Sequence, residues 1–137
     1  MIRYMLDTNT LVYVLNARPQ HQVVLERFNQ HDPSTLCLSS ITLAELRFGI
    51  EKSHLRSVTQ RKLERALGAL DVAPFEQRAA SAYGAVRANL ESSGKPIGPL
   101  DTLIAAHALS LGVTLVTNNT REFNRVPGLR VENWIPG

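Results

Sequence analysis

Three carboxylates stand where their types and spacing allow chemistry. Asp7 directly follows the short apolar run Ile2 to Leu6 and precedes Thr8-Asn9. Glu45 lies in Thr42-Leu43-Ala44-Glu45-Leu46, and Asp101 follows Gly98-Pro99-Leu100. Each has a purely structural reading. Aspartate at position 7 suits a helix N-cap, accepting a free amide of the first turn. Thr42 to Glu45 matches a capping box, with Glu45 reaching back to the Thr42 amide. Asp101 would complement a helix dipole. Their apolar surroundings point further, because caps are normally exposed and these three border segments expected to pack inward. Carboxylates gathered at one partly buried edge repel one another and have raised pKa values. A divalent cation resolves that conflict, and oxygen-only ligands with retained water suit Mg²⁺ or Mn²⁺. Such an ion activates water and stabilises charge on a phosphodiester.

The elements that would position these groups follow from hydrophobic spacing. Ile2 to Leu6, Leu36 to Leu38, Val113 to Thr117 and Leu129 to Glu132 read as short strands. Asp71 to Pro74 reads as another, confined by its proline to an edge or an end. Helical spacing covers Leu11 to Leu15, ending before Pro19, then Gln22 to Asn29, Ile41 to Ile50 and Arg56 to Leu70. Gln77 to Leu90 is an alanine-rich helix stopped by Ser92-Ser93-Gly94-Lys95-Pro96, and Leu100 to Leu111 is closed by Gly112. Short apolar strands alternating with helices predict a parallel sheet covered on both faces. In such folds the strand ends and the helix starts share one ligand-binding edge. Asp101 follows a loop instead of a clear strand, so its place at that edge is the least constrained.

A chain of 137 residues fits one domain spanning 1–137, and 44% hydrophobic residues with 20% charged ones support a packed core. The net charge of +3 and pI near 9.4 favour a polyanionic partner. Cys37 is the only cysteine, between Leu36 and Leu38, and reads as a buried apolar residue in a reducing, cytoplasmic setting. Asp7 interrupts the stretch a secretory signal would need, and no apolar run is long enough to span a membrane. His21, His31 and His54 lie in polar stretches expected to be exposed, and His107, six positions after Asp101, faces elsewhere. No histidine pair is placed for metal-free acid–base cleavage. Arg47, Lys95, Arg121 and Arg125 are candidates for an RNA-binding rim, though each also reads as a solvated surface charge. No aromatic pair is spaced for base stacking, so phosphate contacts would dominate binding.

Four stretches in order complete a pattern: Met5-Leu6-Asp7-Thr8-Asn9, Ser39 to Leu46, Pro96 to Asp101, and Val116-Thr117-Asn118-Asn119-Thr120-Arg121-Glu122-Phe123. With them the chain resembles, over essentially its whole length, the PIN-domain ribonucleases, and within these the VapC toxins of bacterial toxin–antitoxin pairs. The resemblance implies a PIN-like, Rossmann-like three-layer α/β/α fold with a mostly parallel sheet of four or five strands. It implies a Mg²⁺-dependent endoribonuclease, with Mn²⁺ as a possible substitute, restrained by a VapB-type antitoxin and forming homodimers. Asp7, Glu45 and Asp101 match the family's acidic positions, Asp7 and Asp101 as direct metal ligands, and Thr117 matches a supporting hydroxyl. Asn119 stands where many relatives carry a fourth acid, which favours one tightly bound ion. Glu122 sits one turn on and reads as a solvated helix-start residue. The segment around Thr117 to Phe123 is most similar to the subgroup that cuts transfer RNA in the anticodon region, with initiator tRNA as the expected target.

In this reading Asp7 and Asp101 hold the metal while Glu45 orients or deprotonates the attacking water. Two rivals remain at this point. A catalytically silent PIN-like binding module would share the fold. An aspartyl-nucleophile phosphatase would explain Asp7-Thr8-Asn9-Thr10 after a strand, but that chemistry needs a second aspartate where Asn9 stands.

Overall fold

The computed structural model describes residues 1–15 and 21–135. Its centre is β1 (Tyr4–Leu6), followed by α1 (Thr8–Leu15), α2 (His21–Asn29) and β2 (Leu36–Ser39). Then come α3 (Ser40–Lys52), α4 (Arg56–Leu67), β3 (Asp71–Ala73), α5 (Gln77–Ser92) and α6 (Pro99–Leu111). The chain closes with β4 (Thr114–Val116), α7 (Thr120–Phe123) and β5 (Val131–Glu132). The expected end of the first helix before Pro19 lies outside the described residues. A 3₁₀ turn at Pro33–Thr35, started by the Asp32 carboxylate accepting the Ser34 amide, was not foreseen.

All four strand pairings are parallel, in the order β3-β2-β1-β4-β5. Met5 lies beside Cys37 on one side and Leu115 on the other. Parallel neighbours need crossovers, and here helices supply them. Because side chains alternate across a strand, each strand feeds two cores. Met5, Cys37 and Leu115 meet Val86, Leu90, Ile104, Ala105 and Phe123 of α5, α6 and α7. Leu6, Leu36, Leu38 and Val116 meet Leu11, Leu46, Ile50 and Leu63 of α1, α3 and α4. The result is the expected α/β/α arrangement with five strands. β3 is an edge strand that stops immediately before Pro74, as the missing proline donor requires.

The strand order reverses direction at β1. From there the chain moves outward through β2 and β3, then returns to add β4 and β5 on the opposite side. Such a switch point opens a crevice at the carboxyl ends of the two central strands. Asp7 follows β1 and Thr117 follows β4, so the crevice lies between them. Helix α6 is buried along Thr102, Ile104, Ala105, Ala106, His107 and Ala108. Its small alanines let it lie close to the sheet, and Gly112 ends it with φ 67°, a left-handed conformation that favours glycine. No helix of the described residues is long and apolar enough to cross a membrane.

Candidate active site

Asp7 sits at the switch point, only 4% exposed. Its amide donates to the Val116 carbonyl at 3.0 Å, extending the pairing of β1 with β4. Its Oδ1 accepts the Thr10 amide at 2.9 Å, and its carbonyl accepts the Leu11 amide at 3.1 Å. Asp7 is therefore a true N-cap of α1, held rigidly by a helix on one side and a sheet on the other. The Thr117 hydroxyl accepts the Asn119 amide at 3.0 Å and bonds to the Asp7 carboxylate. Burial raises the Asp7 pKa most; the Thr117 hydroxyl and Thr10 amide oppose that rise, and Glu45 adds repulsion.

The other expected acids gather around it. Glu45, half-buried on α3, accepts the Thr8 hydroxyl at 2.8 Å. The capping-box reading of Glu45 is therefore corrected. Helix α3 begins at Ser40 and is capped by Ser39, whose hydroxyl accepts the Ile41 amide at 3.0 Å. Thr42 then lies inside the helix, its hydroxyl buried without a hydrogen bond. Asp101, in the first turn of α6, has its pKa pushed up to about 6. Burial is the chief cause, followed by the charges of Asp7, Glu45 and Glu122. Asp101 therefore feels all three, despite arriving from a loop.

Glu122 is the residue the sequence undervalued. It is half-buried on α7, accepts the Asn119 side-chain amide at 3.2 Å and adds to the negative field on Asp101. Its spacing of three from Asn119 was the available signal, since an acid three residues past a helix N-cap can reach back to it. Thr8 and Thr10 were also missed as supports. Thr10, fully buried, donates its hydroxyl to the Val116 carbonyl at 3.1 Å.

Four carboxylates in one crevice of a chain with net charge +3 are an anionic concentration that cations relieve. Among the described residues, no group of three or more His, Cys, Asp or Glu side chains is arranged to hold an ion by protein ligands alone. That donor set suits Mg²⁺, which keeps several waters and is held by one or two carboxylates together with substrate phosphate. Half-exposed Asp101 beside buried Asp7 fits such a site.

The PIN domain family model matches residues 4–129. This chain belongs to the PIN-domain family. The tRNA(fMet)-specific endonuclease VapC of Salmonella typhimurium is 44% identical over 98% of this chain and 99% of its own. Ribonuclease VapC2 of Haemophilus influenzae is 45% identical over 98% of this chain and all of its own. The crystal structure of DNA-bound VapBC from Salmonella typhimurium superposes with a TM-score of 0.90 at 43% identity, covering 98% of this chain and 99% of that one. The chain is thus a nuclease of the VapC branch of the family.

The four cations expected to form an RNA-binding rim differ in how they are engaged. Arg47 is ion-paired with Glu64 at 2.9 Å, and Arg125 donates to the Pro96 carbonyl at 3.0 Å. Lys95 and Arg121 are exposed, with no ion pair among the described residues. Asn9 is exposed, which leaves the phosphatase reading without its second acid. His31 is not solvated as expected. It stacks on Trp134 with rings 4.8 Å apart and 3° from parallel, while Tyr4 tilts against both. That cluster fastens the last described residues to β1.

Proposed function

We propose that the chain is a Mg²⁺-dependent endoribonuclease toxin that cleaves tRNA in the anticodon region, with initiator tRNA as its target. The observation that carries this reading is the convergence of Asp7, Glu45, Asp101 and Glu122 on one crevice at the switch point. Asp7 and Asp101 are the metal ligands in this reading, and Mn²⁺ can substitute. A bound ion of this kind lowers the pKa of its water and neutralises charge on the scissile phosphate. Thr117 and the Thr10 amide keep the buried Asp7 aimed and favour its charged form. Glu45, held by Thr8, orients the attacking water and accepts its proton. In-line attack on phosphorus leaves a 5′-phosphate and a 3′-hydroxyl. Asn119 in place of a further acid limits the site to one tightly held ion.

A VapB-type antitoxin restrains the enzyme in this reading, and a second copy of the chain forms a homodimer with it. Exposed Phe48, Leu55 and Val58, beside a cavity lined by Val12, Leu46 and Leu63, support the existence of protein partners. The test is cleavage of total tRNA with Mg²⁺, beside the Asp7→Asn protein and an EDTA control. Cuts in initiator tRNA that vanish in both controls are expected. Cleavage undiminished by Asp7→Asn, or 2′,3′-cyclic phosphate ends, would overturn the mechanism.

A further inference from the structure

His107 lies outside the acidic crevice, yet it is only 1% exposed and is not used by the mechanism above. Its Nδ1 is 2.8 Å from the hydroxyl of Ser39, which is itself fully buried. That hydroxyl already accepts the Ile41 amide at the start of α3, so its own hydrogen is free to be donated to Nδ1. The imidazole then carries its proton on Nε2. The Pro74 carbonyl, just past the end of β3, also interacts with the imidazole, and Nε2 is buried with no hydrogen-bond partner among the described residues. The Phe75 ring meets the imidazole edge-on at 5.3 Å and 74°. The Phe75 amide donates to the Ser40 hydroxyl at 3.0 Å, so the exit of β3 and the start of α3 are joined as well.

This junction links the two helices that bring Glu45 and Asp101 to Asp7. Helix α3 starts at the Ser39 cap and carries Glu45 in its second turn; helix α6 carries both Asp101 and His107. The two acids have no hydrogen bond to each other and repel. Something must therefore hold their helices in register. We propose that His107, as a neutral Nε2–H imidazole bonded to Ser39, is a positioning residue that sets the separation of Glu45 and Asp101. This rests on the nuclease reading for its kinetic consequence but not for its geometry.

Two measurements test it separately. Nitrogen NMR of the His107 ring reads the tautomer without any reaction, and Nε2–H is expected; a proton on Nδ1 would overturn the proposal. In cleavage assays, His107→Leu should lower kcat about tenfold or more while KM for RNA stays near the wild-type value, because small misplacements act on the chemical step. His107→Asn, whose Oδ1 can take the place of Nδ1 as acceptor, should recover most of the loss. Ser39→Ala should resemble His107→Leu, and the double variant should lose no more than the worse single one. A folded His107→Leu protein with wild-type kcat would refute the positioning role, as would Asn rescuing no better than Leu or additive losses. If His107→Leu does not fold, Ser39→Ala and His107→Asn carry the same comparison. A wild-type protein that cuts no RNA would instead sink the nuclease reading. The tautomer, and the coupling of Ser39 with His107 in denaturant unfolding, would still decide this inference.

Discussion

Replacing Asp101 by asparagine should stabilise the metal-free protein while destroying its activity. A carboxyl whose pKa rises from 3.8 to about 6 on folding, once ionised, costs the folded state roughly 3 kcal/mol at full strength. Asp101 is only half-buried, and solvent screening reduces that to about 1–2 kcal/mol. The sign follows from the direction of the shift. Below pH 3.8 the group is protonated both folded and unfolded, so the penalty is absent. It grows between pH 3.8 and about 6 and is complete above that range. Asparagine removes the charge and keeps the shape. Denaturant unfolding in EDTA should therefore show Asp101→Asn more stable than wild type by about 1–2 kcal/mol at pH 7.5. The two proteins should be nearly equal at pH 4. Added Mg²⁺ should narrow the gap at pH 7.5 by stabilising the wild type alone. A gain of equal size at both pH values, or no gain at pH 7.5, would refute the electrostatic reasoning.

Other substitutions probe the neighbouring groups. Thr8→Val removes the hydroxyl that Glu45 accepts at 2.8 Å; tRNA cleavage should fall several-fold, with a denaturation midpoint close to that of wild type. Asn119→Asp restores a further acid beside Glu122 and should raise Mn²⁺ affinity in calorimetry while lowering metal-free stability at neutral pH. Trp134→Ala empties a site that is 2% exposed and should cost about 3–5 kcal/mol in urea unfolding, without changing metal affinity. Lowering the pH of the wild type through about 6 should weaken Mg²⁺ binding, because protons then compete for Asp101.

The three inner strands were legible because they are mainly apolar runs bounded by strong signals, and among the described residues every strand and six of the seven helices were foreseen. Asp7 and Asp101 were legible for the same local reason, a charge placed against an apolar segment. What escaped depended on contacts between distant residues. Glu45 fits a capping box in sequence, but its hydrogen-bond partner is Thr8, 37 positions away. His31 lies in a polar stretch, yet Trp134 from the far end of the chain stacks on it. Glu122 opens a short helix as a solvated acid would, and only the fold turns its charge toward Asp101. Ile2 was expected in β1 and lies just outside it, although the Arg3 backbone continues the pairing through the Thr35 carbonyl and the Thr114 amide. Pairwise geometry across the sheet carries this information, and hydrophobic periodicity does not.

The position of β1 between β2 and β4 also bears on when the enzyme can exist during its synthesis. The Asp7 amide and the Thr10 hydroxyl both bond to Val116, the latter across 106 positions of sequence. A nascent chain that has emerged only as far as α6 already contains Asp7, Glu45 and Asp101. It still lacks the strand that buries Asp7 and the threonine that aims it. The crevice can therefore close only after β4 and Thr117 have left the ribosome. The order of the strands thus places completion of the acidic crevice late in synthesis.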